Sequence, residues 1–247
     1  MKKVDWSQKK AISFDLGYTL ITNKRAHIHY QFLQSKGIEL EESDIARTYH
    51  LIDKEFMRLF PKVISTGWYQ YFPWFVGRVN YELGHCFNLV EQNHFFIQKL
   101  EQMKGSIELY WYPFSWTRNT LEELRKRGYK LALLSNWDET ARPLLRKLDL
   151  DSLFDVIIIS DEFGKEKPEP SIFSNMLSQL NCRAEEVVYV GDNYYDDVPG
   201  AAEVGIETII LNPYDKLGME ELNYEWIIPD IQQLLVMTPA TLEHNHV

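Results

Sequence analysis

At 247 residues the chain is long enough for one core domain with an insertion, and its 45% hydrophobic and 25% charged content is that of an ordinary globular protein. A formal charge of −10 argues against a nucleic-acid-binding surface. It leaves room for a small anionic substrate, whose charge a metal or one lysine can meet. Cys86 and Cys182 stand apart, so neither a disulfide framework nor a thiolate metal site is expected. The opening MKKVDWSQKK carries positive charge without an apolar run behind it, so no signal peptide is expected. No stretch approaches the roughly 20 apolar residues of a membrane span, and a cytoplasmic protein is the expectation.

Residues 12–20 read ISFDLGYTL. A short apolar run leads into Asp15, and Gly17, Tyr18 and Thr19 turn the chain, as a buried strand would deliver one acid at its C-terminal end. Residues 22–112 are helix-periodic without a convincing β run and predict a mostly helical insertion. Within it Trp68–Phe75 holds six aromatics in eight positions. Those rings fit the insertion's own core, or a roof over an apolar substrate pocket. Pro113 closes the insertion.

Short β-rich runs then alternate with helical patterns. The strands are Lys130–Ser135, Val156–Ser160, Val187–Gly191 and Glu207–Leu211; the helices are Thr120–Arg127, Thr140–Leu148, Ser171–Leu180 and Pro199–Val204. This alternation predicts an α/β fold, a Rossmann-like parallel sheet with helices on both faces. The core would comprise 1–21 and 113–236, and the patternless 237–247 would be a mobile tail. His27/His29 and His244/His246 read as exposed pairs rather than ligands.

In a parallel sheet the strand ends lie along one edge. Asp15, then Ser135-Asn136, then Lys167-Pro168 in GKEKPEPSIF, then Asp192, Asp196 and Asp197 in VGDNYYDDVPGAAEVGI can therefore converge. Four such motifs in this order, with a helical insertion after the first, resemble the haloacid dehalogenase superfamily, in the branch whose helical cap follows the first strand.

The resemblance implies a Mg²⁺-dependent phosphatase acting on a small phosphorylated metabolite, with no nucleic acid or membrane partner. Asp15 would be the nucleophile that forms an aspartyl-phosphate. Ser135 would bond the phosphoryl group, helped by main-chain N–H groups at the start of the helix that follows, from Asn136 onward. Lys167 would balance phosphoryl charge and hold Asp15 ionised. Asp15, Asp192 and the carbonyl of Gly17 would hold Mg²⁺, a sparse set of the kind this ion takes. Asp196 or Asp197 would stand behind the metal, with the register favouring Asp197 and with Gly200 and Ala201 allowing close helix–strand approach.

One position departs from the family pattern. Gly17 stands where a second Asp usually protonates the leaving oxygen and later activates water, a role worth about 10²–10⁴-fold. Such a phosphatase is expected to favour leaving groups that need little protonation. Three alternatives follow from Gly17. They are a non-catalytic binding or regulatory protein, a relative of phosphonoacetaldehyde hydrolase with Lys54 as Schiff-base lysine, and a metal-free 2-haloacid dehalogenase. Gly191-Asp192 argues against the last.

Overall fold

The computed structural model describes residues 4–61, 63, 68–103 and 110–242, without the side chains of 68 and 69. The chain forms two compact units, Met1–Thr22 with Tyr112–Asp215 and Tyr224–Val247, and Asn23–Trp111 with Lys216–Asn223.

The first unit is built on strand β1 (Ala11–Phe14). Strands β2 (Ile21–Asn23) and β3 (Trp111–Pro113) pair with each other in a separate two-stranded sheet. The main sheet adds β4 (Lys130–Ser135), β5 (Val156–Ile159), β6 (Val187–Gly191), β7 (Glu207–Leu211) and β8 (Ile227–Ile228). Its order is β5-β4-β1-β6-β7-β8 and its ladders are parallel. Ile12, Phe14, Leu131, Leu133, Val188 and Val190 are all fully buried, as expected of parallel strands covered on both faces. After β5 the chain crosses back to β6, beside β1. The strand order therefore reverses at β1 and β6, and the crevice beyond their C-terminal ends is where open α/β sheets hold ligands.

The second unit holds α1 (Arg25–Ser35), α2 (Glu42–Leu59), α3 (Trp68–Glu82) and α4 (Leu89–Gln102), and the helices of the first unit follow in the chain. They are α5 (Thr117–Lys126), α6 (Ala141–Lys147), α7 (Ser160–Phe163), α8 (Pro170–Leu180), α9 (Tyr194–Glu203) and α10 (Gln233–Met237). Helix α9 begins well before the expected Pro199. Asn193 caps it by accepting from Tyr195 N at 3.1 Å, and Asp196 and Asp197 in its first turn suit the positive end of the helix. A proline within a helix says little about where the helix starts when the cap lies upstream.

The expected tail is partly a packed segment. Arg127 Nη1 donates to the carbonyls of Leu235 (2.7 Å) and Thr238 (3.1 Å), and Leu242 N donates to Arg127 O at 2.8 Å. The remainder of that stretch, with His244 and His246, lies outside the described residues. Residues Lys216–Asn223, expected in the core, join the helical unit instead. Arg58 pairs with Glu221 at 3.0 Å, and a Cβ on Gly218 would sit 2.7 Å from Lys54 Cβ.

In the helical unit Phe72 and Phe75 are buried among Ile28, Val76 and Phe96 and among Tyr49, Phe56 and Val79 respectively. Trp74 on the same helix is 67% exposed. Phe72 and Phe75 of the aromatic run thus supply core, with Tyr71 packed against it. Among the described residues, no helix is long and apolar enough to cross a membrane.

His29, expected at the surface, is fully buried. Its Nδ1 lies 3.2 Å from Tyr49 Oη, and its Nε2 lies 3.0 Å from Gln92 Nε2, whose Oε1 accepts from Asn80 at 2.6 Å. An amide donor on Nε2 requires the neutral tautomer with its proton on Nδ1. Burial pushes the imidazole pKa down from 6.5 to about 4, with Asn80 pulling weakly upward. The unfolded chain then binds one more proton between these values, so stability is full above pH 6.5 and is lost as pH falls through about 4. Wild type should lose roughly 2–3 kcal/mol more than His29→Gln between pH 7 and 4.5 in urea unfolding. Equal losses would show that His29 is not the source.

Candidate active site

The ladder between β1 and β6 runs one bond past the end of β1, with Asp15 N donating to Val190 O at 2.9 Å. This fixes the Asp15 backbone at the sheet edge. The loop then turns tightly. Tyr18 adopts a left-handed conformation at φ 53°, which costs a non-glycine residue roughly 1 kcal/mol, and its N–H bonds Ile21 O at 2.7 Å.

Asp15 Oδ1 accepts from Lys167 Nζ at 2.9 Å. Lys167 comes from the loop between α7 and α8, is 3% exposed, and also donates to Asp197 Oδ1 (2.6 Å) and Tyr189 Oη (2.8 Å). All three ammonium protons are therefore engaged. Burial alone would push the Lys167 pKa down; Asp15 and Asp197 outweigh it and hold the ammonium well above its ordinary range. Tyr189 passes its own proton to Leu134 O at 2.8 Å, which leaves its oxygen facing the ammonium.

Asn136 holds the lysine loop from the other side. Its Oδ1 accepts from Lys167 N at 2.7 Å and its Nδ2 donates to Lys167 O at 3.0 Å. The expectation of helical N–H groups from Asn136 onward does not hold, because the segment after Ser135 is irregular and α6 starts only at Ala141. Ser135 ends β4 and is 1% exposed.

Asp192 follows β6 and is 8% exposed, as is Asp15. Of the two further acids, Asp197 is the one that reaches Lys167. Its Oδ2 also accepts from Asn193 N at 3.0 Å and lies where a side chain on Gly191 would be, 2.1 Å from the Cβ position. Asp196, half-buried, accepts instead from Asn193 Nδ2 at 2.7 Å. Burial pushes its pKa up to about 7, against the pull of Lys167. Burial likewise raises Asp197 despite the same lysine. Gly200 lets α9 approach the lysine loop rather than a strand, since a Cβ there would sit 2.2 Å from Pro168 O.

Two residues that the motifs did not single out belong to this constellation. Tyr189 had a legible signal, since a phenol in a strand buried on both faces must find a hydrogen-bond partner. Trp137 had none. Its indole Cζ3 lies 3.3 Å from the position a Cβ on Gly17 would take, a contact between residues far apart in sequence.

Charge in the cluster is uneven, with the carboxylates of Asp15, Asp192 and Asp197 against one ammonium. The model of the haloacid dehalogenase-like hydrolases matches residues 12–211. The chain belongs to that family. It is similar to the glyceraldehyde 3-phosphate phosphatase of Pyrococcus furiosus, 35% identical over 127 residues, which are 48% of this chain and 51% of that protein. It is also similar to the ribulose-1,5-bisphosphate 5-phosphatase of Halopiger xanaduensis, 37% identical over 105 residues, 42% of this chain and 44% of that one. The chain spans about half the length of these curated relatives. The crystal structure of a HAD phosphatase from Thermococcus onnurineus shares the fold, with a TM-score of 0.59 at 24% identity over 94% of this chain and 99% of that one.

Proposed function

We propose that this hydrolase is a Mg²⁺-dependent phosphatase of a small phosphorylated metabolite, with Asp15 as the nucleophile and the helical unit as the substrate-selecting cap. The observation that carries the reading is the Asp15 carboxylate, held at a strand end by a buried lysine that Asp197, Tyr189 and Asn136 fix in turn. The names of the relatives support the substrate class.

In the proposed first step a carboxylate oxygen of Asp15 attacks phosphorus and the bond to the leaving oxygen breaks, its electron pair departing with the leaving group. Water then attacks the phosphorus of the aspartyl-phosphate, releasing inorganic phosphate and restoring Asp15. Lys167 holds Asp15 fixed in position, and Ser135 bonds the phosphoryl group.

The residues present fit Mg²⁺. Asp15, Asp192 and the Gly17 carbonyl would hold it as hard oxygen donors, and the surplus of carboxylate over ammonium calls for a cation. Among the described residues no three His, Cys, Asp or Glu side chains are grouped as a metal cage. Two carboxylates with waters and phosphate oxygens form the set Mg²⁺ takes. When bound, the ion supplies positive charge that offsets the phosphoryl oxygens as the nucleophile approaches.

The test is phosphate release from acetyl phosphate, p-nitrophenyl phosphate and glyceraldehyde 3-phosphate, with Mg²⁺ and after EDTA. Mg²⁺-dependent release from at least one is expected. Silence on all three, with Mg²⁺-dependent binding of a phosphate analogue, would replace the enzyme by the binding protein that Gly17 also allows. For the Schiff-base alternative, Lys54 is 3% exposed with Nζ donating to Met57 Sδ at 3.9 Å.

A further inference from the structure

We propose that Trp137 sets the leaving-group range of this site, restricting it to phosphoryl donors whose leaving group departs as a stabilised anion, such as acyl phosphates. The inference rests on the phosphatase reading and narrows its substrate class. Gly17 lies two residues beyond the nucleophile, where a side chain would stand beside the reacting group. The space is not open. The indole edge meets the Cβ position at 3.3 Å, so a side chain there would have to push the ring back by a few tenths of an ångström, and what faces Gly17 is ring carbon that carries no transferable proton.

The ring is also fixed. Trp137 N donates to Ser160 Oγ at 3.0 Å, the same hydroxyl donates back to Trp137 O at 3.2 Å, and the ring Nε1 donates to Thr140 Oγ1 at 3.1 Å. Gly17 and Trp137 are thus a complementary pair, one small because the other is large. Three of the other ionisable groups at this edge of the sheet are engaged. Lys167 has spent its three protons, Asp197 is fully buried on Lys167, and Asp196 is bonded to Asn193.

The chemical consequence concerns the bond that breaks. As the Asp15 oxygen bonds phosphorus, the electron pair of the breaking P–O bond passes to the leaving oxygen. A carboxylate or an acidic phenolate holds that pair unaided. An alkoxide needs a proton, which Gly17 does not supply.

The experiment is a series of aryl phosphates of graded phenol pKa, with acetyl phosphate and the alkyl ester glyceraldehyde 3-phosphate at the ends. Wild type should show kcat/KM falling steeply with leaving-group pKa, and acetyl phosphate should exceed the alkyl ester by about 10²–10⁴-fold, the worth of a positioned acid. The double variant Gly17→Asp/Trp137→Ala makes room for a carboxylate, and the acetyl-to-alkyl ratio should fall by about tenfold or more. Gly17→Asp alone, crowded by the ring, should move it less. A flat series in wild type, as Asp196 acting as proton donor would give, overturns this inference and leaves the phosphatase reading intact. No turnover of any member overturns both. Should the double variant fail to fold, Gly17→Asp alone still decides, because a fall in the ratio by about a hundredfold or more with the ring in place would overturn the role of Trp137.

Discussion

Asp15→Asn should lower phosphate release on the order of 10⁴–10⁶-fold, the scale on which a covalent hydrolase loses rate with its nucleophile or that nucleophile's partner. The substitution is nearly isosteric. It keeps the backbone bond to Val190 O and an acceptor for Lys167, so the loss would belong to chemistry rather than to folding. It also removes one of the carboxylates that crowd a single ammonium. Melting without metal should therefore be little changed, whereas stabilisation by Mg²⁺ should largely disappear. For wild type that gain is about 2.7 kcal/mol when the ion is at 100 times its Kd. Phosphate release and melting with and without Mg²⁺ check both halves. Activity within tenfold of wild type would remove Asp15 as the nucleophile.

The sheet was legible because its strands are short apolar runs with few other ways to be buried. Lys130–Ser135, Val187–Gly191 and Glu207–Leu211 are strands at those bounds, and Val156 begins a fourth that gives up only Ser160 to a helix. Strand β8 has two residues and depends on pairing with β7, so no local pattern announces it. The order of the strand ends also placed the acids and the lysine on one edge, because in a parallel sheet the C-terminal ends fall together.

What sequence did not carry is the set of contacts made across the sheet edge. Asn136 looked like a phosphate-binding position, yet its side chain bonds both main-chain groups of Lys167. Asp196 and Asp197 are neighbours in sequence but part company on α9, where successive residues point some 100° apart. One faces Lys167 and the other Asn193. His29 shows the same limit inside the helical unit. Its neighbours in sequence suggest an exposed pair, but Tyr49 of α2 and Gln92 and Phe96 of α4 close over it. Trp137 is the sharpest case. Gly17 alone reads as a missing carboxylate, and only the folded chain shows that an indole edge stands against the empty position.

Lys167→Met should be strongly destabilising. It leaves Asp197, fully buried, and Asp15, nearly so, without the cation that faces them. Removing one partner of a buried ion pair costs about 3–5 kcal/mol, far more than the pair contributes over an apolar replacement. At about 2–4 °C per kcal/mol for a chain of this size, the midpoint should fall by roughly 6–20 °C. Asp197→Asn alone should cost less, because the lysine keeps Asp15 and Tyr189 and the amide oxygen can still accept from Asn193 N. The two changes should not add. Once Asp197 is neutral, less buried charge is stranded when Lys167 goes, and the double variant should be more stable than the sum predicts by about 1–3 kcal/mol. Denaturant unfolding of the four proteins closes the cycle. Additivity within about 0.5 kcal/mol would mean that the Lys167–Asp197 contact carries no energetic coupling. The short contact would then be mere proximity, and Lys167 would be positioned by Asp15, Asn136 and Tyr189.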